Sequence, residues 1–500
     1  AQAPADPLRL PSLQMFQPQG TAVAPPAGEG SQDSGDATPT PKVLQVIQEV
    51  QQRMYLIVTL PELGHLNPVL HIGAELARRG HQVTLATCAF LEPKVGERCR
   101  ELGIAFLGLA PEVMSPDKPG SKEAKLKACS AVLLYTHYND CMLEPLREFV
   151  QKARPHQILA DFMTFCAFPV GDACGVPVAV NFADPVMLNV AGASPSPWWR
   201  LLLIVMGPLM LKQPLTDGPM LARKSWEVLE SIYTRLCFVN TFWGVQPLAP
   251  LPPNIILTGP TGPRPKGPLQ TTSMDELNAW MQWVRGKGLR VVYVTFGSMA
   301  VLTRAQVRAI YYGLAELPDI AVVWSLKDAA QEHLPERPER FFVHGWMPQV
   351  EVLQLPEVAA VVTHCGWGGM MEICLAGKPI VGVPFQGDQP ENARMARARG
   401  FAEVVLPSGL SAAAMTRAMG RVLHTESYTE SVLKVQASLR MSGGASAAAL
   451  QLELLAAQVP HLVRPAPSLS HSLARAAGAA LLLAAACAAV ASRVRSTDRK

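Results

Sequence analysis

The sequence predicts an α/β protein of two Rossmann-like, parallel-sheet domains facing each other across a cleft. Three observations carry that expectation. Apolar runs of strand length alternate with helical stretches on both sides of a single break. The break, Pro247 to Pro268, is dense in Pro and Gly. The chain has 500 residues, more than one ordinary core accommodates.

The elements follow in order. Residues 1–45 are rich in Pro, Gly, Ala and Ser, lack a sustained apolar run and predict a disordered leader. The first domain, 46–246, opens on RMYLIVTLP, a strand that ends in a Pro-Glu-Leu-Gly turn. A helix over Asn67–Gly80 follows, with Pro68 in its first turn, where a missing N–H is harmless. HQVTLAT, GIAFLGL, QILADFM and VPVAVNF continue the strand rhythm. The stretch from Pro185 to Leu229, with Trp198 and Trp199, has no clean period and fits a pocket wall or a packed insertion equally well.

The segment 247–268 reads as a linker. Over 269–440 the alternation restarts with LRVVYVTFGS, IAVVWSL, RFFVHGW, VAAVVTHCG, KPIVGVPF and FAEVVLP. Helices are expected near Arg304–Leu317, from Gly369 and near Glu391–Arg399, and a helical return segment over 441–465. Ligands of such sheets lie beyond the carboxyl ends of the strands. The tail, 466–500, is apolar from Leu473 to Ala491 and ends in Arg493, Arg495, Arg499 and Lys500. Two readings stand for it: a weak membrane anchor with a cytoplasmic basic end, or an Ala-rich helix.

Composition excludes several classes. Net charge is +4, much of it in the last ten residues, and no basic, aromatic-laced face marks a nucleic-acid binder. Ten Cys lie in settings such as TFCAF and KACSA without CxxC pairs, which predicts thiols in a reducing, cytoplasmic compartment. GxGxxG, GxSxG, HExxH and a P-loop lysine are absent, and His and Cys show no ligand spacing, so no structural metal is expected.

What remains is polar chemistry at strand ends. His364 follows a strand and precedes Gly366, Gly368 and Gly369, where first-turn N–H groups face outward and admit a diphosphate. Glu372, about one turn later, can accept from two ribose hydroxyls. A tight glycine turn capped by His would look the same. Trp346 can stack under a base, with Gln349 at its edge, or fill a core. Asp388 and Gln389 suit vicinal hydroxyls, or an exposed turn. Ser298 closes another phosphate-facing turn. In the first domain, His65 sits past the first strand, and an imidazole of pKa about 6.5 can act as a base. Asp161, ending QILAD, is placed to orient it. A capping histidine is the plain alternative.

From Gly345 to Gly400 these residues resemble the donor-binding box of family 1 UDP-dependent glycosyltransferases. The resemblance implies the GT-B fold, a UDP-sugar donor, inversion at the anomeric carbon, no required metal and no other cofactor. It assigns Trp346 to uracil with Gln349 beside it, Glu372 to ribose, and His364 to the diphosphate. Asp388 and Gln389 fall to sugar hydroxyls, Trp367 near the sugar 4-OH, and His65 with Asp161 to the base and its partner. The plant box carries His at Leu355 and Asn-Ser at Gly368-Gly369, so backbone N–H groups would carry more of the phosphate here. The expected activity is transfer of a hexose, glucose first, to a hydroxyl of a small, largely apolar acceptor. A sterol or lipid transferase of the same fold, a catalytically weak sugar-nucleotide binder and an epimerase stay open. The tail also resembles that of membrane-bound animal relatives, which would give weak membrane association.

Overall fold

The computed structural model describes residues 52–129, 131–185, 235–245, 251, 253–263, 267–297, 300–335 and 339–462. The expected leader, the Trp198-Trp199 stretch, Ser298 and the apolar tail lie outside them.

The first sheet contains β1 (Met54–Val58), β2 (Gln82–Cys88), β3 (Ala105–Leu109), β4 (Gln157–Asp161), β5 (Val178–Phe182), β6 (Cys237–Val239) and β7 (Ile255–Leu257). Its order is β3-β2-β1-β4-β5-β6-β7. The second contains β8 (Arg290–Thr295), β9 (Ile320–Ser325), β10 (Phe341–His344), β11 (Val358–Thr363), β12 (Ile380–Gly382) and β13 (Ala402–Val404), in the order β10-β9-β8-β11-β12-β13. Every pairing is parallel, as expected.

These runs form strands because both faces are covered. Leu56 and Val58 enter one core, while Tyr55 and Ile57 enter the core on the opposite face. Val291 and Tyr293 divide from Val292 and Val294 in the same way. Parallel strands buried on both sides therefore read as unbroken apolar runs. β7 falls inside the segment expected as a linker, where it pairs with β6 as the last strand of the first sheet.

Strand order reverses once in each sheet, between β1 and β4 and between β8 and β11. Such switch points open crevices at the carboxyl ends of their strands. One crevice receives the loops after β1 and β4, and the other receives those after β8 and β11.

The helices used below are α1 (Leu63–Arg78), α2 (Ala131–Ala153), α3 (Gln349–Gln354), α4 (Trp367–Leu375), α5 (Gln389–Ala398), α6 (Glu426–Met441) and α7 (Gly444–Leu462). α1 begins four residues before the expected Asn67, so His65 belongs to its first turn. The backbone carbonyl of Glu62 starts it by accepting from the N–H groups of His65 at 3.0 Å and Leu66 at 2.8 Å. α4 begins at Trp367 with Gly366 as its cap, which puts Gly368 and Gly369 in its first turn.

The final helices join the two halves. Val432, Val435 and Leu439 of α6 pack with Met371, Ile373 and Leu375 of α4. Ala448, Ala449 and Leu452 of α7 complete the core around Leu66, Leu70 and Leu76 of α1. Glu453 fixes α7 there. Its carboxylate accepts from Arg79 Nη1 at 2.9 Å and lies 2.9 Å from His81 Nε2, and its carbonyl accepts from Arg53 Nη1 at 2.6 Å. Among the described residues no helix is long and apolar enough to cross a membrane.

Candidate active site

His65 and Asp161 meet as the sequence predicts. His65 Nδ1 lies 3.0 Å from Asp161 Oδ1, and the same oxygen accepts from the Met163 N–H at 3.0 Å. Asp161 is wholly buried, whereas the His65 side chain is 18% exposed. A buried carboxylate is an acceptor only, so Nδ1 carries the ring proton and Nε2 presents a lone pair. Tyr135 of α2 stands edge-on to the imidazole at 5.8 Å, and Phe162 lies tilted at 5.5 Å. Phe162 is itself stacked on Phe182 at 5.3 Å.

Burial alone would lower the His65 pKa, but the charge and hydrogen bond of Asp161, with Asp184 and Glu62 behind them, raise it above the ordinary value. Only the neutral ring can accept a proton. Activity that uses His65 as a base is therefore lost as pH falls through this raised pKa. The acid limb of kcat/KM is expected above about pH 6.5. A limb at or below that value, measured as kcat/KM for the acceptor at saturating UDP-glucose, would contradict the assignment.

Across the second switch point, the chain leaves β11 through His364 and Cys365. Cys365 adopts a positive φ of 63°, a conformation that costs a non-glycine residue energy. It is held there because the carbonyl of Cys365 accepts from Asn392 Nδ2 at 3.0 Å. The turn opens α4 directly toward the crevice, and its first-turn N–H groups have no acceptor within the helix. The His364 ring is wedged between two glycines. A Cβ on Gly297 would come within 2.8 Å of His364 Cε1, and one on Gly366 within 2.5 Å of Nε2. Burial lowers the His364 pKa to about 4, so the ring is neutral near pH 7. Its Nδ1 is buried without a hydrogen-bond partner among the described residues. Space around Gly368 is open, with nothing within 4 Å of an added Cβ.

Trp346 is 65% exposed, whereas Trp324 is fully buried in the core. Leaving so large an apolar ring in water forgoes about 3 kcal/mol of burial, which makes a displayed indole a surface prepared for a flat partner. Three residues on, the Gln349 amide is committed at both ends. Its Nε2 donates to Glu372 Oε2 at 2.7 Å, and its Oε1 accepts from Thr295 Oγ1 at 3.0 Å and Tyr293 O–H at 3.3 Å. Gln349 therefore orients Glu372. Burial raises the Glu372 pKa, with the Gln349 bond opposing it.

Asp388 caps α5. Its Oδ2 accepts from Asn392 Nδ2 at 2.6 Å. Burial raises its pKa; Asn392, the backbone N–H groups of Asp388 and Trp367, and the charge of His65 act against it. Gln389 Oε1 accepts from the N–H groups of Phe385 at 2.9 Å and Gln386 at 3.2 Å, which leaves its Nε2 for other partners. Trp367 turns inward instead: it is 5% exposed and donates its indole N–H to the carbonyl of Asn240 at 2.9 Å.

Comparison with known proteins gives this arrangement a lineage. Residues 222–440 match the family model for UDP-glucuronosyl and UDP-glucosyl transferases. Crocetin glucosyltransferase, chloroplastic, of Gardenia jasminoides is 25% identical over 409 residues, 69% of this chain and 82% of that relative. Anthocyanidin 3-O-glucosyltransferase of Gentiana triflora is 39% identical over 138 residues, 26% of this chain and 30% of its own. Residues 222–440 carry the match to the UDP-glycosyltransferase family. Solved GT-B structures share the fold of this chain. A glycotransferase of kitacinnamycin superposes with a TM-score of 0.62 at 21% identity, covering 81% of this chain and 99% of its own. Phytolacca americana UGT2, complexed with UDP-2fluoro-glucose and pterostilbene, gives 0.60 at 19% identity, covering 81% and 100%.

Of the residues expected from sequence, His65 and Asp161 lie at the first switch point and His364 at the second, whereas Trp346 follows the edge strand β10 and Asp388 and Gln389 follow β12; Ser298 lies outside the described residues. Sequence reasoning missed the groups that support them. Asn392 steadies both Cys365 and Asp388, and Tyr293 and Thr295 hold Gln349. Their positions at strand ends and one helical turn past Asp388 were the available signal.

Proposed function

We propose that the protein is an inverting glycosyltransferase that moves glucose from UDP-glucose to a hydroxyl of a small, largely apolar acceptor. The observation that carries this reading is the His65–Asp161 pair, whose free Nε2 stands at the strand-order reversal of the first sheet. Relatives named for glucosylating anthocyanidin, crocetin and gallate support a small acceptor.

In this mechanism, His65 Nε2 takes the acceptor O–H proton as that oxygen bonds to the anomeric carbon. The bond from that carbon to the β-phosphate oxygen breaks, its electron pair leaves with UDP, and the in-line path inverts the centre. Asp161 holds the tautomer and offsets the imidazolium. Negative charge gathering on the diphosphate meets the N–H groups of Gly368 and Gly369 and the His364 ring. Trp346 stacks on uracil, Glu372 binds the ribose hydroxyls, and Asp388 with Gln389 holds the sugar. Tyr135 and Phe162 offer the acceptor apolar surface beside the base. The apolar settings of the Cys residues and their lack of CxxC pairs support a reducing compartment, the cytoplasm, as its place of work.

Incubation with UDP-glucose and a panel of phenols, terpenoids and sterols tests the reading. UDP release that requires an acceptor, with a β-linked glucoside as product, is the expected result. An α-linked product would refute inversion. UDP or an altered sugar released without any acceptor would point to an epimerase or hydrolase instead.

A further inference from the structure

Trp367 and Asn240 belong to opposite halves of the molecule, yet they meet in its interior. The indole N–H of Trp367, the first residue of α4, donates to the Asn240 carbonyl at 2.9 Å. Asn240 follows β6, and its side chain is half of a reciprocal amide pair. Asn181 Nδ2 donates to Asn240 Oδ1 at 3.0 Å, and Asn240 Nδ2 donates to Asn181 Oδ1 at 2.9 Å. Asn240 Nδ2 also donates to Thr258 Oγ1 at 3.1 Å. Asn181, in turn, is the register partner of Asp161 on the neighbouring strand, and its carbonyl accepts from the Phe162 N–H at 3.0 Å. Asn181, Asn240 and Thr258 are all buried.

An unbroken run of hydrogen bonds and strand pairing therefore leads from the partner of the base to the head of the donor helix. Its chemistry suits a fixed spacing. Apolar surfaces can slide over each other at little cost, but a buried amide or indole N–H that slips leaves a donor or acceptor where no water can replace it. We infer that Asn181, Asn240 and Trp367 form a positioning bridge that sets the separation between the His65 imidazole and the diphosphate-facing turn of α4. This rests on the transferase reading above. It also gives the Trp367 side chain a task distinct from touching the sugar: it holds the donor helix at the reach the base requires.

Trp367→Phe tests the bridge, because it keeps an aromatic ring and removes only the N–H. A small misplacement of reacting groups is costly, so kcat for glucosyl transfer is expected to fall about tenfold or more, while UDP affinity by calorimetry and KM for UDP-glucose stay within about twofold. The fraction of UDP-glucose lost to water instead of acceptor should rise. Asn181→Ala should show the same split, and the double variant should lose less than the two single losses combined, because both cut one bridge. An unchanged kcat in a folded Trp367→Phe protein would overturn the inference. So would a loss of UDP affinity in step with kcat, which would make Trp367 a donor-site contact. If Trp367→Phe does not fold, Asn181→Ala decides by the same criteria. Failure of the wild-type protein to bind UDP would instead sink the transferase reading, which keeps the two failures apart.

Discussion

His65→Ala is expected to lower glucosyl transfer by about 10³-fold, the scale of a lost general base, with UDP affinity nearly unchanged. The split follows from placement. His65 stands in the first turn of α1 against Asp161, while the nucleotide contacts proposed above belong to the second sheet. Asp161→Asn should be nearly as damaging, since an amide can donate to Nδ1 and so favour the tautomer whose Nε2 carries the proton. Steady-state transfer rates beside calorimetric UDP titrations check both variants. Equal loss of turnover and UDP binding would show that the pair supports the fold of the crevice and not the chemistry.

Glu372→Ala is expected to act on the other quantity. A carboxylate accepting from two ribose hydroxyls makes charged hydrogen bonds worth about 1.5–3 kcal/mol each, so KM for UDP-glucose should rise on the order of 10²-fold or more with a smaller change in kcat. The substitution also strands the Gln349 Nε2, which now donates to Glu372 Oε2 at 2.7 Å. A nucleotide lacking both ribose hydroxyls separates the two effects. It should bind wild type and variant alike if the carboxylate serves the ribose, and the variant less tightly if Gln349 has lost its place. An unchanged affinity for UDP itself would remove Glu372 from the donor site.

Much of the fold was legible because parallel strands covered on both faces leave continuous apolar runs, as in VVYVT and VAAVVT. The short strands β6 and β7 were not, since three residues carry no period and β7 lies among prolines. The start of α1 was misplaced by a rule that sets Pro at the first helical position. Pro68 instead sits inside the helix, where the carbonyl it cannot pair is that of Gly64, an exposed residue. Strand-end positions made His65, Asp161, His364 and Asp388 visible. Trp346 was ambiguous until exposure set it apart from Trp324. The Asn181–Asn240–Trp367 contacts were beyond reach, because partners 59 and 127 residues apart leave no local pattern.

One feature of the last helix bears on how the molecule is made. The flank of the first sheet that holds Leu66 and Leu76 is closed by Ala448, Ala449 and Leu452, and Glu453 ties Arg53, Arg79 and His81 beneath it. On the ribosome, this sheet, complete at Leu257, must wait with a bare apolar side until roughly two hundred further residues have emerged. Chains halted after Met441 should accordingly be captured by chaperones and cut readily by protease within the amino-terminal sheet. Equal protease resistance of halted and full-length chains would show that this sheet matures without its final helix.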